Sequence, residues 1–294
     1  MNRVEEVFGA RMREFTTVGI GGPADRLVFP HSVREVQEIL ASERSAGRDA
    51  RALGAGSNLL VSDAGVRGTV VCLKKNMGKV LFSAEERAVA EAGVMVPRFS
   101  VLCALSALSG AEELGGIPGT VGGALTMNAG AFDREIGELV EWVEIVEATG
   151  EIHRIPAREI RFSYREAEYP VGGIIVRAGF RLRPGNSDES FSRMKALNER
   201  RRASQPWGER TFGSTFRNPP GMERAASLLE RAGMKGAREG DAMFSEKHAN
   251  FLINRGEATA SEVVRLIARG REAVRQLAAV TLATEVKMWG IADE

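Results

Sequence analysis

The residues of this chain best suited to chemistry sit in two glycine-rich stretches. In Gly54-Ala55-Gly56-Ser57-Asn58, successive small residues let backbone N–H groups converge on an anion, and Ser57 and Asn58 add side-chain donors. The same stretch also reads as a tight turn at the entrance of a strand. The longer stretch, Gly116-Ile117-Pro118-Gly119-Thr120-Val121-Gly122-Gly123-Ala124, is harder to explain by packing. Glycine this dense fills little volume and costs chain entropy, but it suits main chain that must approach a flat ligand or a pyrophosphate. Met127-Asn128-Ala129-Gly130-Ala131 continues the small-residue surface. A third stretch, Gly19-Ile20-Gly21-Gly22-Pro23-Ala24, fits the dinucleotide fingerprint G-x-G-x-x-G/A. That motif must follow a strand and open a helix, whereas Pro23 leads into an apolar strand, Arg26-Leu27-Val28-Phe29. Two glycine loops without a Rossmann context point to a large phosphate-bearing cofactor on a domain of another kind.

The elements that must position these loops fall into three zones. Up to about residue 75, short strands alternate with glycine turns. Ser32-Val33-Arg34-Glu35 is a capping-box pattern that opens an amphipathic helix with Val33, Val36, Ile39 and Leu40 on one face. Arg51-Ala52-Leu53 enters the first loop and Leu59-Leu60-Val61 leaves it as a buried strand. From about 76 to 183, a helix predicted over Pro97 to Leu108 precedes the long loop. Strands of period two follow it: Val143 to Ile145, a turn at Thr149-Gly150, Ile152 to Ile155, and Ile174 to Leu182. Pro184-Gly185-Asn186-Ser187 reads as a linker. The third zone opens with a basic helix, Phe191 to Arg202. It closes with a helix capped by Thr259 and Glu262, whose stripe is Val263, Leu266, Ile267, Val274 and Leu277, and with a strand over Thr281 to Trp289. Mixed helices and strands without a βαβ rhythm give the α+β class. The expected division is 1–183, in two lobes of about 1–75 and 76–183, then 184–294.

Composition narrows the possible partners. The chain has 294 residues and a formal net charge of +1, so any anionic ligand must be held by local groups, and neither nucleic acid nor membrane insertion is expected. Cys72 and Cys103 are the two cysteines, too few for a disulfide framework, and no Cys/His metal spacing occurs. The opening MNRVEEVFG lacks an apolar signal core, and Phe99 to Gly110 is too short to span a bilayer. The expectation is a reduced, cytoplasmic protein without a metal.

Several motifs carry a family resemblance, in order, over nearly the whole chain. LGAGSNLLVSD (Leu53 to Asp63) and GGIPGTVGGALTMNAGAF (Gly115 to Phe132) resemble the FAD-binding signatures of the UDP-N-acetylenolpyruvoylglucosamine reductases. FTTVGIGGPADRLV, FSYRE, GSTFRNPPG, KHANFLIN and TLATEVKMWG are similar too. The resemblance implies a vanillyl-alcohol-oxidase-type (PCMH-like) FAD-binding domain over 1–183 and a smaller α+β substrate-binding domain over 184–294. It implies non-covalent FAD held by Gly54 to Asn58, Gly116 to Thr120, Gly122, Gly123, Asn128 and Ala129. It also implies a ping-pong reaction: NADPH reduces FAD and leaves, and hydride and a proton then reach the enolpyruvyl ether of a UDP-sugar to give UDP-N-acetylmuramate.

By motif position, Arg165 matches the family's catalytic arginine, Ser214 its proton donor and Glu285 its catalytic glutamate. A guanidinium suits a carboxylate gaining enolate character, since its charge is fixed and its donors are forked. Serine is a weak acid that needs polarising neighbours. An acidic residue among Leu282, Val286, Met288 and Trp289 would have its pKa raised by burial, unless it lies on the outward face of the strand. Tyr164, Gln205, Asn218 and His248 are implied substrate contacts, and Arg217 and Lys235 would meet the pyrophosphate. The family's Tyr-Arg-x-Ser is Tyr164-Arg165-Glu166-Ala167 here. Its Leu-Glu-Pro-Glu is Leu282-Ala283-Thr284-Glu285, and a lysine usual after the serine motif is Ser227. The short third zone places the chain in the subgroup without a tyrosine-bearing substrate loop. Two other readings stay open: a flavin oxidoreductase of the same fold acting on an alcohol or lactone, and a flavin-binding module without catalysis.

Overall fold

Six α-helices occur among the residues that the computed structural model describes, which are 4–83, 85 and 87–291. They are α1 (Val33–Ser45), α2 (Val96–Leu105), α3 (Val121–Thr126), α4 (Ser187–Ser204), α5 (Ala225–Arg231) and α6 (Ala260–Ala278). Helices and strands are mixed, as the α+β reading expects.

The chain forms two compact units that are not continuous in sequence. The first comprises residues 1–8, 25–55 and 68–200; the second comprises 9–24, 56–67 and 201–294. The expected boundary at 183/184 falls inside the first unit, and that reading also missed the two early segments of the second.

The first unit is organised by a five-stranded antiparallel sheet in the order Ile152–Pro156, Val140–Val146, Ile174–Arg181, Arg87–Glu91, Val80–Phe82. Its alternating residues explain the register. Val143, Ile145, Ala178 and Phe180 are buried, and the Phe180 ring packs tilted against Phe99 of α2, with centroids 4.8 Å apart. Ala50–Leu53 runs parallel to Val66–Cys72 in a second sheet, against which Val36, Ile39 and Leu40 of α1 join the core. Ser32 caps α1 by accepting from the Glu35 N–H at 3.2 Å. The reciprocal bond is displaced by one residue, because the Glu35 carboxylate takes the His31 N–H at 2.7 Å.

Two expected boundaries shift here. Helix α2 ends at Leu105, not Leu108, where Ala107 turns left-handed and Leu108–Ser109 pairs with Arg183–Pro184. The expected linker is therefore partly strand. Helix α4 begins four residues before Phe191, because the Asn186 side chain accepts from the Glu189 N–H at 3.1 Å.

The second unit is built on a four-stranded antiparallel sheet, Thr211–Ser214, Phe251–Asn254, Ala242–Phe244 and Arg238–Glu239, covered by α5 and α6. Helix α6 buries Val263, Leu266, Ile267 and Val274. Leu277 is exposed, so the stripe stops one turn short of that expectation. Both halves of the Thr259/Glu262 box form. Asp63, the last residue of the first glycine motif, adds a further cap by accepting from the Ala260 N–H (2.7 Å), the Ser261 N–H (3.0 Å) and the Ser261 hydroxyl (2.8 Å). A carboxylate at that end also meets the positive pole of the helix. The expected strand from Thr281 to Trp289 is strand only over Lys287–Trp289, which runs parallel to Leu59–Val61. Among the described residues, no helix is long and apolar enough to cross a membrane.

Candidate active site

In the first unit the long glycine stretch is not one open loop. Thr120 caps α3 by accepting from the Gly123 N–H at 3.3 Å, so Val121 to Thr126 is helical. The stretch is sewn down by Val96 N–H to Gly119 O (2.9 Å), Val121 N–H to Val94 O (2.7 Å) and Gly122 N–H to Ala92 O (2.9 Å). Two of the expected ligand glycines are also required by packing. A methyl group on Gly122 would lie 2.8 Å from the Ala92 Cβ, and one on Gly54 would collide with the Thr120 hydroxyl. Gly123 differs: it is exposed, and the same methyl would meet nothing nearer than Thr120 Oγ1 at 3.4 Å. Pro118 is exposed, and Gly116 and Gly119 are half-buried, while Ile117, Thr120 and Ala129 are buried beneath them. This uncharged edge, lined by main chain and small side chains, fits a large flat phosphate-bearing group.

Asn128 was expected on that surface, but its side chain faces the protein. It is fully buried at φ +45°. Its Nδ2 donates to Glu135 Oε2 (2.5 Å) and to the Ser163 carbonyl (2.9 Å), and its Oδ1 accepts from the Gly137 N–H (3.1 Å). Both amide hydrogens are thereby used. Arg165 sits beside this network, in the two-residue turn between Arg161–Ser163 and Glu166–Glu168. Its φ is +57°, a left-handed conformation that side chains larger than glycine adopt at a cost. Its Nη2 donates to the Gly130 carbonyl at 3.0 Å, its Nη1 lies 4.0 Å from Glu135 Oε1, and its guanidinium is 4.9 Å from the Tyr164 ring. Tyr164 itself is exposed.

In the second unit, Ser214 and Glu285 come together. The register of Thr211–Ser214 on Phe251–Asn254 shifts by one residue between Thr211 and Ser214, with Gly213 at φ +84° in the shift. Such a bulge re-aims the side chain that follows it. Past Ser214, the Thr215 carbonyl accepts from the Glu285 N–H (2.8 Å), Phe216 bridges Thr284, and the Arg217 N–H reaches Ala283 O (2.9 Å). Glu285 is therefore not on a regular strand but in an extended edge laid along the serine motif, where it is half-buried. Asn58 closes this arrangement: its Nδ2 donates to the Glu285 carbonyl at 3.1 Å, and its own carbonyl accepts from the Lys287 N–H at 3.1 Å. Gly56 is left-handed, and any side chain there would strike the Phe15 carbonyl. Its carbonyl takes the Thr17 N–H at 3.1 Å, so the FTTVG motif wraps the first glycine loop. Ala55 is buried in the first unit, and Ser57 is half-buried in the second.

The remaining expected contacts are more dispersed. Asn218 is exposed and its Oδ1 accepts from the Ala225 N–H (3.1 Å), Gln205 Oε1 accepts from Arg201 Nε (3.1 Å), and Lys235 pairs with Glu230 at 2.9 Å. Arg217 is half-buried directly after Phe216. His248 packs edge-on against Phe251 at 4.7 Å. Burial pushes its imidazole below the usual value of 6.5, with Lys235 acting the same way and Glu230 opposing. Its Nδ1 is buried without a hydrogen-bond partner among the described residues.

The sequence reading missed two buried asparagines of KHANFLIN. Asn250 bonds both the N–H (2.9 Å) and the carbonyl (2.8 Å) of Phe216, and Asn254 donates to Val18 O at 3.0 Å. Asparagine at both ends of an otherwise apolar strand was the available signal.

Residues 24–156 match the family described as FAD binding domain, and residues 205–289 match the UDP-N-acetylenolpyruvoylglucosamine reductase C-terminal domain. Together with the mixed helices and strands, these define a flavoprotein oxidoreductase of the vanillyl-alcohol-oxidase (PCMH-like) type. A UDP-N-acetylenolpyruvoylglucosamine reductase of Alkalilimnicola ehrlichii is 42% identical over 96% of this chain and 94% of its own. That of Anaeromyxobacter dehalogenans is 40% identical over 98% and 87%. The crystal structure of the reductase from Thermus caldophilus aligns with a TM-score of 0.82 at 35% identity, over 98% of this chain and 99% of that one. The chain belongs to the UDP-N-acetylenolpyruvoylglucosamine reductase family.

Proposed function

We propose that this chain reduces the enolpyruvyl ether of UDP-N-acetylglucosamine to UDP-N-acetylmuramate with NADPH, in the cytoplasm, as a step of peptidoglycan precursor synthesis. FAD, when bound, supplies the hydride. The residues fitted to hold it are the open edge Gly116 to Thr120 with Gly123 and Ala129, together with Ala55 and Ser57. Gly54, Gly56, Gly122 and Asn128 serve that binding by shaping the main chain. On this reading the first unit is chiefly the FAD-binding domain and the second chiefly the substrate domain.

Three side chains carry the remaining work. Arg165 binds the substrate carboxylate and stabilises the charge that grows there. Ser214 gives its proton to the carbon next to that carboxylate. Glu285 joins Ser214 in handling the proton and the developing charge. The observation that supports this most is the Glu285 N–H bonded to the Thr215 carbonyl at 2.8 Å, which holds the main chain of Glu285 against the residue that follows Ser214. Arg217, Lys235, His248, Asn218, Gln205 and Tyr164 are assigned to the UDP-sugar.

The test is spectroscopic. Purified protein reconstituted with FAD should show flavin absorption that NADPH bleaches without oxygen and that the UDP-enolpyruvyl sugar restores. Bleaching without restoration by this substrate would overturn the assignment and favour the alcohol- or lactone-oxidising alternative.

A further inference from the structure

We infer that Glu135, braced by Asn128, is a positioning residue for Arg165, an inference that rests on the function proposed above. Asn128, Gly130, Glu135, Ser163 and Arg165 form a closed ring. Glu135 and Gly130 face each other in the ladder of Gly130–Ala131 with Arg134–Glu135. They thus present a carboxylate and a carbonyl to one edge of the Arg165 guanidinium, at 4.0 Å and 3.0 Å. The other oxygen of Glu135 takes an amide hydrogen of Asn128 at 2.5 Å, and the second amide hydrogen goes to the Ser163 carbonyl at 2.9 Å. Ser163 is the last strand residue before the turn that carries Arg165. The ring therefore fixes both the backbone from which Arg165 springs and the edge of its guanidinium.

Its members have the properties that positioning requires. Asn128 is fully buried, so its orientation is set by its three bonds, and the Arg165 side chain keeps only about a fifth of its surface exposed. Arg165 holds a left-handed backbone that the turn must maintain. Glu135 also has an effect of opposite sign. Its negative charge weakens the pull of Arg165 on an incoming carboxylate while improving its aim. Removing the charge should therefore separate affinity from turnover, which a merely structural residue would not do.

The experiment uses the FAD-loaded full chain with Glu135→Gln, Arg165→Lys and the double variant. Glu135→Gln is expected to slow turnover of the enolpyruvyl sugar on the order of 10-fold, the scale of a modest misplacement. Affinity for UDP-N-acetylmuramate, measured by calorimetry, should stay the same or tighten. In the Arg165→Lys background the same change should add little, since groups acting through one another are non-additive. Equal slowing in both backgrounds, or a parallel loss of affinity and thermal stability, would overturn the inference. If Glu135→Gln does not fold, Glu135→Asp replaces it. Its carboxylate is drawn back one methylene from the guanidinium, and the same loss and non-additivity are expected. A wild-type chain that does not turn over the enolpyruvyl sugar would defeat the functional reading and this inference with it. Wild-type turnover with equal factors in the cycle would defeat this inference alone.

Discussion

A hydroxyl gives up a proton only where the oxygen left behind is stabilised, so the groups around Ser214 decide its use. The bulge at Gly213 turns Ser214, and the edge carrying Glu285 is bonded one residue further on. Ser214→Ala is therefore expected to leave bleaching by NADPH intact and to slow reoxidation by substrate on the order of 10²-fold, the usual worth of a general acid. Stopped-flow traces of the two halves separate these effects, and equal slowing of both would make Ser214 structural. His248 offers a second test at this scale. Burial favours its neutral ring in the folded chain, so as the pH drops below about 6.5 the unfolded chain takes up the proton first. Stability from this group is complete above that value and is lost as the pH falls. Urea midpoints at pH 7.5 and 5.5 should drop more for the wild type than for His248→Gln; an equal drop would assign the effect to other groups.

Whole elements were legible where local chemistry dominates. Both capping serine and threonine residues, the stripe of α6 as far as Val274 and the strand expected over Arg26–Phe29, which in the fold starts at Pro23, are set by patterns that tertiary contacts did not override. The misses have a common cause, because each depended on a partner distant in sequence. Helix α3 was hidden among glycines, since what holds it is the chain at Ala92 and Val94. The inward bonding of the Asn128 side chain was hidden because its partners, Glu135 and Ser163, are visible only once two hairpins are folded. Glu285 read as a strand residue because only the bridge of Phe216 to Thr284 shows where the regular strand fails. Gly122→Val makes the distinction measurable. Its first carbon would meet Ala92 at 2.8 Å, so we expect a loss of about 1–3 kcal/mol from overpacking. Flavin retention should fall only as far as folding does. Weak flavin binding at unchanged stability would instead put the cofactor against Gly122.

For the molecule as a whole, the second unit is assembled from three stretches of chain. Its core includes Val18, Ile20 and Leu60, all nearly inaccessible, packed with Phe216, Leu266 and Val286. A fragment of residues 201–294 produced alone is therefore expected to lack a cooperative unfolding transition and near-ultraviolet dichroism. A cooperative transition in that fragment would show that the early segments are dispensable.

The parallel pairing of Lys287–Trp289 with Leu59–Val61 also sets a schedule. During synthesis, Leu59–Val61 emerges well before Lys287–Trp289 and must wait for residues 62–286 to be made before its neighbour exists. Glu285 arrives just before that neighbour and is anchored by Asn58, which precedes Leu59–Val61. A nascent chain thus acquires its glycine surface and Arg165 long before Glu285. A product cut off before Glu285 would hold every residue of the first unit, and Ser214 as well, but would lack the acid proposed to act with that serine.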